Sequence, residues 1–71
     1  MVEIKVNGKI LHFNSSLSVS ELLEFKNFKT ERVAVELDGK ILKKSFWNST
    51  KFANGQIYEI VELVGGGWKF F

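Results

Sequence analysis

The sequence predicts an α+β domain in which a mixed β-sheet is wrapped around one main helix. Two dipeptides that favour tight hairpin turns, Asn7-Gly8 and Asp38-Gly39, each lie between stretches of strand-forming residues. A helix start motif stands between the two hairpins, and an apolar strand over residues 57–64 precedes three consecutive glycines. These observations give the element order β-β-α-β-β-β.

Size and composition limit the classes of function that the chain can have. With 71 residues it has room for one domain with one core, and a net charge of +2 is too small for a nucleic-acid-binding surface. It contains no cysteine and a single histidine, His12, which excludes disulfides, a thiol nucleophile and a multi-histidine metal site. The absence of a membrane span and of a signal peptide predicts a cytoplasmic location.

The first hairpin is fixed by its turn and by its side-chain pattern. Strands of alternating polarity flank Asn7-Gly8, and a two-residue turn sets Ile4 opposite Leu11. The same register sets His12 opposite Glu3 on the other face. We therefore interpret His12 as an outward-facing member of a cross-strand pair rather than as a catalytic base.

The helix begins with a capping box. Ser18 is the predicted N-cap, Glu21 is the acid at the third helical position, and Asn27 is the predicted stop. Ser18 is interpreted as a cap and not as a nucleophile, because no second histidine or nearby acid is available to activate it. The predicted buried stripe of the helix consists of Val19, Leu22 and Leu23.

The second half of the chain is predicted to begin with another hairpin. A strand over residues 33–37 leads through Asp38-Gly39 into residues 40–43, and Ser45-Phe46-Trp47 predicts a single helical turn that plugs the core. The basic residues of this half are concentrated at Lys40, Lys43, Lys44 and Lys51. We interpret these lysines as a solvated edge of the sheet, and the alternative is that they bind an acidic surface of a partner protein.

The last strand, residues 57–64, is rich in β-branched residues, which predicts a central strand paired with the first and buried on both faces. The folded domain is expected to span residues 1–64. Residues 65–71, which are three glycines and a four-residue extension, are expected to form a flexible tail because glycine has no side chain to pack. The predicted core contains Val2, Ile4, Val6, Leu11, Phe13, Val19, Leu22, Leu23, Val33, Val35 and Ile60.

Several segments of the chain resemble the ThiS family of sulfur carriers in thiamine biosynthesis. They are Val33-Ala34-Val35-Glu36-Leu37-Asp38-Gly39, Phe46-Trp47, Gly55-Gln56-Ile57-Tyr58-Glu59-Ile60-Val61 and Val64-Gly65-Gly66-Gly67. The resemblance covers essentially the whole chain and implies the ubiquitin-like β-grasp fold. Gln56 departs from the family's usual aspartate, and residues beyond Gly67 depart from a family whose chains normally end at the glycines.

The resemblance also implies a mechanism in which this chain is a carrier and not an enzyme. The carboxylate of Gly67 would be adenylated by a ThiF-like enzyme that uses ATP, with Gly65 and Gly66 threading into its cleft and no cofactor bound to the carrier. A persulfide donor would then supply sulfur, and the resulting thiocarboxylate would serve a ThiG-like thiazole synthase. For Gly67 to have a free carboxylate, a processing protease must remove Trp68, Lys69, Phe70 and Phe71.

Three other functions remain compatible with the sequence. A MoaD-like carrier of molybdopterin synthase shares the fold and the thiocarboxylate, but the short chain and the Val-Gly-Gly-Gly motif favour ThiS. A ubiquitin-like modifier would instead attach the same terminus to lysines of other proteins. A β-grasp interaction module without carrier activity is the third alternative, and the C-terminal tetrapeptide is the feature that keeps it open.

Overall fold

The computed structural model describes all 71 residues of the chain. Neither its α-helix nor its short 3₁₀ turns have the length and apolar character needed to cross a membrane. The elements are strands β1 (Val2–Val6) and β2 (Lys9–Phe13), helix α1 (Val19–Phe25), strands β3 (Val33–Leu37), β4 (Lys40–Ile41), β5 (Ile57–Val64) and β6 (Gly67–Phe70), and 3₁₀ turns at Thr30–Arg32 and Lys44–Phe46.

The six strands form one mixed sheet in the order β2-β1-β5-β3-β4, with β6 also paired to β5. The β1 and β5 strands are parallel, and all the other pairs are antiparallel. The prediction that the last long strand is central and pairs with the first is therefore confirmed. Because β3 pairs with residues 58–62 of β5 on one side, β6 lies on the opposite side of β5, in line with β1.

The first hairpin has the predicted register. Ile4 lies opposite Leu11 and Glu3 lies opposite His12. Asn7 and Gly8 have φ values of 49° and 84°, the positive pair that a type I′ hairpin turn needs. The His12 Nε2 is 3.3 Å from the Glu3 carboxylate on the exposed face, so the prediction of a cross-strand pair is confirmed.

Helix α1 has the predicted capping box. The Ser18 hydroxyl accepts a hydrogen bond from the Glu21 amide at 3.1 Å, and the Glu21 carboxylate accepts one from the Ser18 amide at 2.9 Å. The helix ends at Phe25, and Asn27 follows with a left-handed φ of 61°. An asparagine in this conformation stops a helix because its backbone no longer continues the hydrogen-bonded spiral.

The capping box predicts a pH dependence of stability. The hydrogen bonds from the backbone and the hydroxyl of Ser18, together with the charge of Lys51, lower the pKa of Glu21. Because the pKa is lower in the folded state, this stabilisation is complete above the unfolded pKa and is lost as pH falls through the folded value. Urea unfolding at a series of acidic pH values should show a loss of stability that Glu21→Gln removes. Glu24→Gln is the matched control, since the Glu24 carboxylate makes no hydrogen bond or ion pair, and an equal effect of both substitutions would contradict the prediction.

The core lies between α1 and one face of the sheet. Seven of the predicted core residues are buried, and the other four are partly buried against them. Aromatic residues outside that prediction also enter the core, where Phe52 contacts both Phe13 and Tyr58 at ring-centroid distances of 5.1 and 5.2 Å. Burial, with a smaller contribution from Asp38, raises the pKa of Tyr58 to about 12, so its phenol is neutral at physiological pH. The buried apolar residues are Ile4, Val6, Val19, Leu22, Leu23, Phe28, Val35, Trp47, Phe52, Tyr58 and Ile60.

The prediction that β5 is buried on both faces is wrong. Tyr58 and Ile60 face α1 and are fully buried, whereas Ile57 and Leu63 on the opposite face are 50% and 49% exposed. The single helix covers only one face of the sheet, so a central strand here has one buried and one open side. A continuous apolar run did not distinguish this arrangement from a strand covered on both sides.

Candidate functional site

The candidate site is the C-terminal hairpin formed by β5 and β6. The chain turns at Gly65 and Gly66, and the pairs that follow are Val64 with Gly67 and Leu63 with Trp68. Gly66 has a φ of 85°, a conformation that residues with a side chain rarely adopt. The turn therefore explains the glycine at position 66.

The fold does not explain the other two glycines. A Cβ atom added to Gly65 or Gly67 would meet no atom within 4 Å, and neither residue has a positive φ. A Cβ atom therefore fits at both positions without strain in this hairpin. The run of three glycines therefore exceeds what the folded chain requires, which favours a role for it outside this conformation.

Residues 67–71 of the tail that the sequence predicts to be flexible are paired with the folded domain in the structure. Residues 67–70 form β6, an ordinary antiparallel partner of β5. The sequence contained a signal for this hairpin, since Gly-Gly between two apolar segments is one of the dipeptides that favour a two-residue turn. Mobility of Gly65 to Gly67 in the free protein, with ordering in the adenylating enzyme, stays a prediction.

A groove about 250 Å³ in volume lies beside the C-terminal end of β6, and we call it the Phe28 groove. Its lining residues are Lys26, Phe28, Lys69, Phe70 and Phe71. The rings of Phe28 and Phe71 stack with centroids 5.6 Å apart. The Lys69 ammonium lies 5.0 Å from the centre of the Phe28 ring and 4.0 Å from the Glu62 carboxylate. These contacts hold the C-terminal residues against the domain.

Glu62 is a buried acid that sequence reasoning did not single out. Its side chain is on the helix side of β5, its residue is only 4% exposed, and its Oε2 accepts a hydrogen bond from the Lys29 amide at 2.6 Å. The Oε1 atom has Lys69 as its ion-pair partner. A carboxylate in so little contact with water depends on such partners, so β6 supplies part of its stabilisation.

Asn7 connects the first hairpin to this site. Its side-chain amide accepts a hydrogen bond from the Ile60 amide at 2.9 Å and donates one to the Ile60 carbonyl at 2.8 Å. The same nitrogen is 3.4 Å from the Phe71 carbonyl, and the Phe71 amide donates to the Ile60 carbonyl at 3.1 Å. The sequence identified Asn7 only as a turn residue. Its side chain also bonds to β5 at Ile60, between the residues of β5 that pair with β1 and those that pair with β6.

The outer side of the hairpin carries apolar side chains on the open face of the sheet. Leu63 lies opposite Trp68 and Val61 lies opposite Phe70. Trp68 and Phe70 are 57% and 66% exposed. The side chains of the extension thus alternate between the helix side of the sheet and its open face, as expected of a strand.

The remaining residues singled out from the sequence do not join this site. Ser18 is buried at the start of α1, where its hydroxyl caps the helix, and His12 belongs to the β1–β2 hairpin. The lysines of the predicted basic concentration are all exposed, and Lys51 lies 3.9 Å from Glu21. Their use as a surface for an acidic partner stays a prediction.

A mixed sheet that wraps around one helix, with a central strand β5 that runs into consecutive glycines, defines the chain as a ubiquitin-like β-grasp protein. The family model of the ThiS family matches residues 1–67. The chain therefore belongs to the ThiS family, and the resemblance noted from the sequence is confirmed.

Similar proteins agree with this assignment. The crystal structure of the thiamine biosynthesis protein ThiS from Geobacter metallireducens has a TM-score of 0.72 and 33% identity, and it covers 93% of this chain and 100% of its own. The uncharacterized protein ycf40 of Porphyra purpurea is 32% identical over 66 residues, which are 93% of both chains. A thiazole synthase of Paramagnetospirillum magneticum is also 32% identical over 66 residues, 93% of this chain but 20% of that enzyme.

Proposed function

We propose that this chain is a sulfur carrier of thiamine biosynthesis whose sulfur is held as a thiocarboxylate on Gly67. The observation that carries the proposal is the position of the glycines: they follow the central strand directly, and the family match ends at the third of them. The fold gives no reason for glycine at positions 65 and 67. A terminus that must enter a narrow cleft on a partner supplies that reason.

The chemistry needs a carboxylate at Gly67. A ThiF-like enzyme would let that carboxylate attack the α-phosphate of ATP, which forms an acyl-adenylate and releases pyrophosphate. The terminal sulfur of a persulfide donor would then displace AMP, and cleavage of the sulfur–sulfur bond by a thiol would leave the thiocarboxylate on Gly67. The carrier supplies the terminus and the docking surface, and its partners supply the catalytic groups.

A ThiG-like thiazole synthase is the proposed acceptor of the sulfur. Support comes from the thiazole synthase of Paramagnetospirillum magneticum, in which a segment similar to nearly this whole chain is part of the enzyme's own polypeptide. Joining two proteins in one chain raises their effective concentration, which benefits partners that act together. This similarity favours the thiazole pathway over a pterin or a protein lysine as the destination of the sulfur.

The C-terminal extension must be removed before the carrier can act. In the intact chain the Gly67 carbonyl belongs to a peptide bond with Trp68, and Gly67 is paired to Val64 in the hairpin. The sequence continues past Gly67 to Phe71, whose ring stacks on Phe28. We therefore propose that a protease cleaves after Gly67, which both creates the reactive carboxylate and releases the glycines from the hairpin.

Three chains test this proposal: one ending at Gly67, one ending at Trp68 and the intact chain. Each has a free carboxylate at its end, but the residue that carries it differs, and only the intact chain keeps the whole of β6. After incubation with a ThiF-like enzyme, ATP and a persulfide donor, intact mass should show replacement of one oxygen by sulfur only in the chain that ends at Gly67. Equal conversion of a verified intact chain would overturn the proposal.

A further inference from the structure

The edge of β5 between Ile60 and Val64 is covered by β6 and by no other strand. On this side β1 reaches only as far as the pair of Val6 with Tyr58, and β3 lies on the opposite side. Loss of residues 68–71 would remove the strand partners of Val61, Glu62 and Leu63, while the Asn7 side chain keeps its bonds to the Ile60 backbone. Such an edge is a template for pairing with another extended segment.

Two inner side chains beside this edge also lose partners when the extension is absent. Glu62 loses the Lys69 ammonium, and the Phe28 ring loses both the stacked ring of Phe71 and the cation above it. Phe28 and Glu62 are 8% and 4% exposed in the intact chain. Uncovering an aromatic ring and a poorly solvated carboxylate is unfavourable, so both favour a replacement ligand.

We propose that this edge is a docking site for an extended strand of a partner protein. We call it the docking strip: the backbone of residues 60–64 with the side chains of Phe28 and Glu62. The partner strand would run antiparallel to β5, with a basic residue opposite Glu62 and an aromatic residue two positions later on Phe28. The inference rests on the proposed function only in taking Gly67 as the mature end of the chain.

The chemistry of the partner strand follows from β6, which occupies the docking strip in the intact chain. Its inner residues are Lys69 and Phe71, whereas Trp68 and Phe70 lie opposite Leu63 and Val61 on the outer face. A partner strand with the same alternation would make every contact that β6 makes. It would also hold the partner beside Val64, where the freed glycines leave the domain.

A second copy of the mature chain is a poorer occupant. It would end at Gly67 and would no longer carry the lysine and phenylalanine that complement the docking strip. Antiparallel pairing of two β5 edges about a two-fold axis near Glu62 would bring two Glu62 carboxylates together without the Lys69 ammonium that pairs with this acid in the intact chain. Like charges opposite each other destabilise a strand pair.

The chain ending at Gly67 is suitable for testing the docking strip because it contains the whole core. All eleven buried apolar residues lie at or before residue 60. In addition, the entire solved ThiS chain of Geobacter metallireducens corresponds to 93% of this chain. The probe is the blocked pentapeptide Gly-Trp-Lys-Phe-Phe, added to isotope-labelled protein while backbone amide signals are followed by NMR.

The pentapeptide should shift the amide signals of residues 60–64 and of Phe28 in the chain ending at Gly67, and should leave the intact chain unchanged. The matched control is Gly-Lys-Trp-Phe-Phe, which has the same composition but puts tryptophan opposite Glu62. It should bind up to about fivefold more weakly, the loss expected when a cross-strand ion pair is removed. Glu62→Gln, which keeps an acceptor for the Lys29 amide, should remove most of the difference between the two peptides.

The proposal is overturned if the peptides bind equally, or if the shifts map to the β2 or β4 edge. Self-association of the chain through β5 without peptide binding would assign the edge to a second copy and would also overturn it. If the shortened chain does not fold, the intact chain with Lys69→Glu and Phe71→Ser replaces it, since both changes weaken the hold on β6. No ATP or partner enzyme is present, so failure of peptide binding and failure of sulfur transfer are separate results.

Discussion

Leu22→Ala should lower the free energy of unfolding by about 2–5 kcal/mol, the usual cost of removing a buried leucine side chain and leaving a cavity. Leu22 is 1% exposed and belongs to the stripe of α1 that faces the sheet. Small domains have total stabilities of about 5–15 kcal/mol, so the substitution removes a large share. Reversible urea unfolding monitored by tryptophan fluorescence measures the change, with the buried Trp47 as one of the two reporters.

Phe25→Ala is the matched control for Leu22→Ala. It lies on the same helix and also truncates a large apolar side chain, but Phe25 is 79% exposed. It should change stability by no more than about 0.5 kcal/mol, as is usual for surface positions. If Leu22→Ala also lowered the free energy of unfolding by less than about 0.5 kcal/mol, the result would contradict the packing of α1 against the sheet.

The parts of the fold that were predictable from the sequence are those determined by neighbouring residues. The two turns with positive φ at Asn7 and Asp38 and the capping box at Ser18 each depend on residues within a few positions of one another. The turn at Asn7 then sets the pairing of the whole first hairpin, because register propagates along the strands. Burial was less predictable, since Phe52 enters the core from a segment with no strand or helix pattern.

The candidate site was predictable only in part, because its contacts join distant parts of the chain. The glycines at positions 65–67 form a local motif and were recognised. Asn7 bonds to Ile60 across 53 residues, and the Lys29 amide bonds to Glu62 across 33 residues. No local pattern shows such contacts. The β6 hairpin was missed for another reason, since the same Gly-Gly dipeptide fits both a turn and a flexible tail.

Gly66→Val should abolish adenylation of the chain that ends at Gly67. In the proposed mechanism the tail enters a narrow cleft on the adenylating enzyme, and a β-branched side chain there adds bulk and stiffens the backbone. The folded domain should be unaffected in this chain, because a Cβ at position 66 meets no atom within 4 Å even in the intact hairpin. Gly66→Ala, with one added methyl group, should give an intermediate loss.

The intact chain separates the two roles of Gly66, because there the residue also forms the hairpin turn with a φ of 85°. Valine at that φ is strained, so Gly66→Val should loosen β6 in the intact chain, seen as faster hydrogen exchange of residues 67–70. Gly39→Ala is the control: Gly39 has a φ of 84° in the β3–β4 turn, far along the chain from the tail, and the substitution should leave adenylation unchanged. ATP–pyrophosphate exchange with a ThiF-like enzyme measures the effect on the chain ending at Gly67. Exchange by Gly66→Val at the unsubstituted rate would show that the tail does not enter a narrow cleft, whatever its effect on the hairpin.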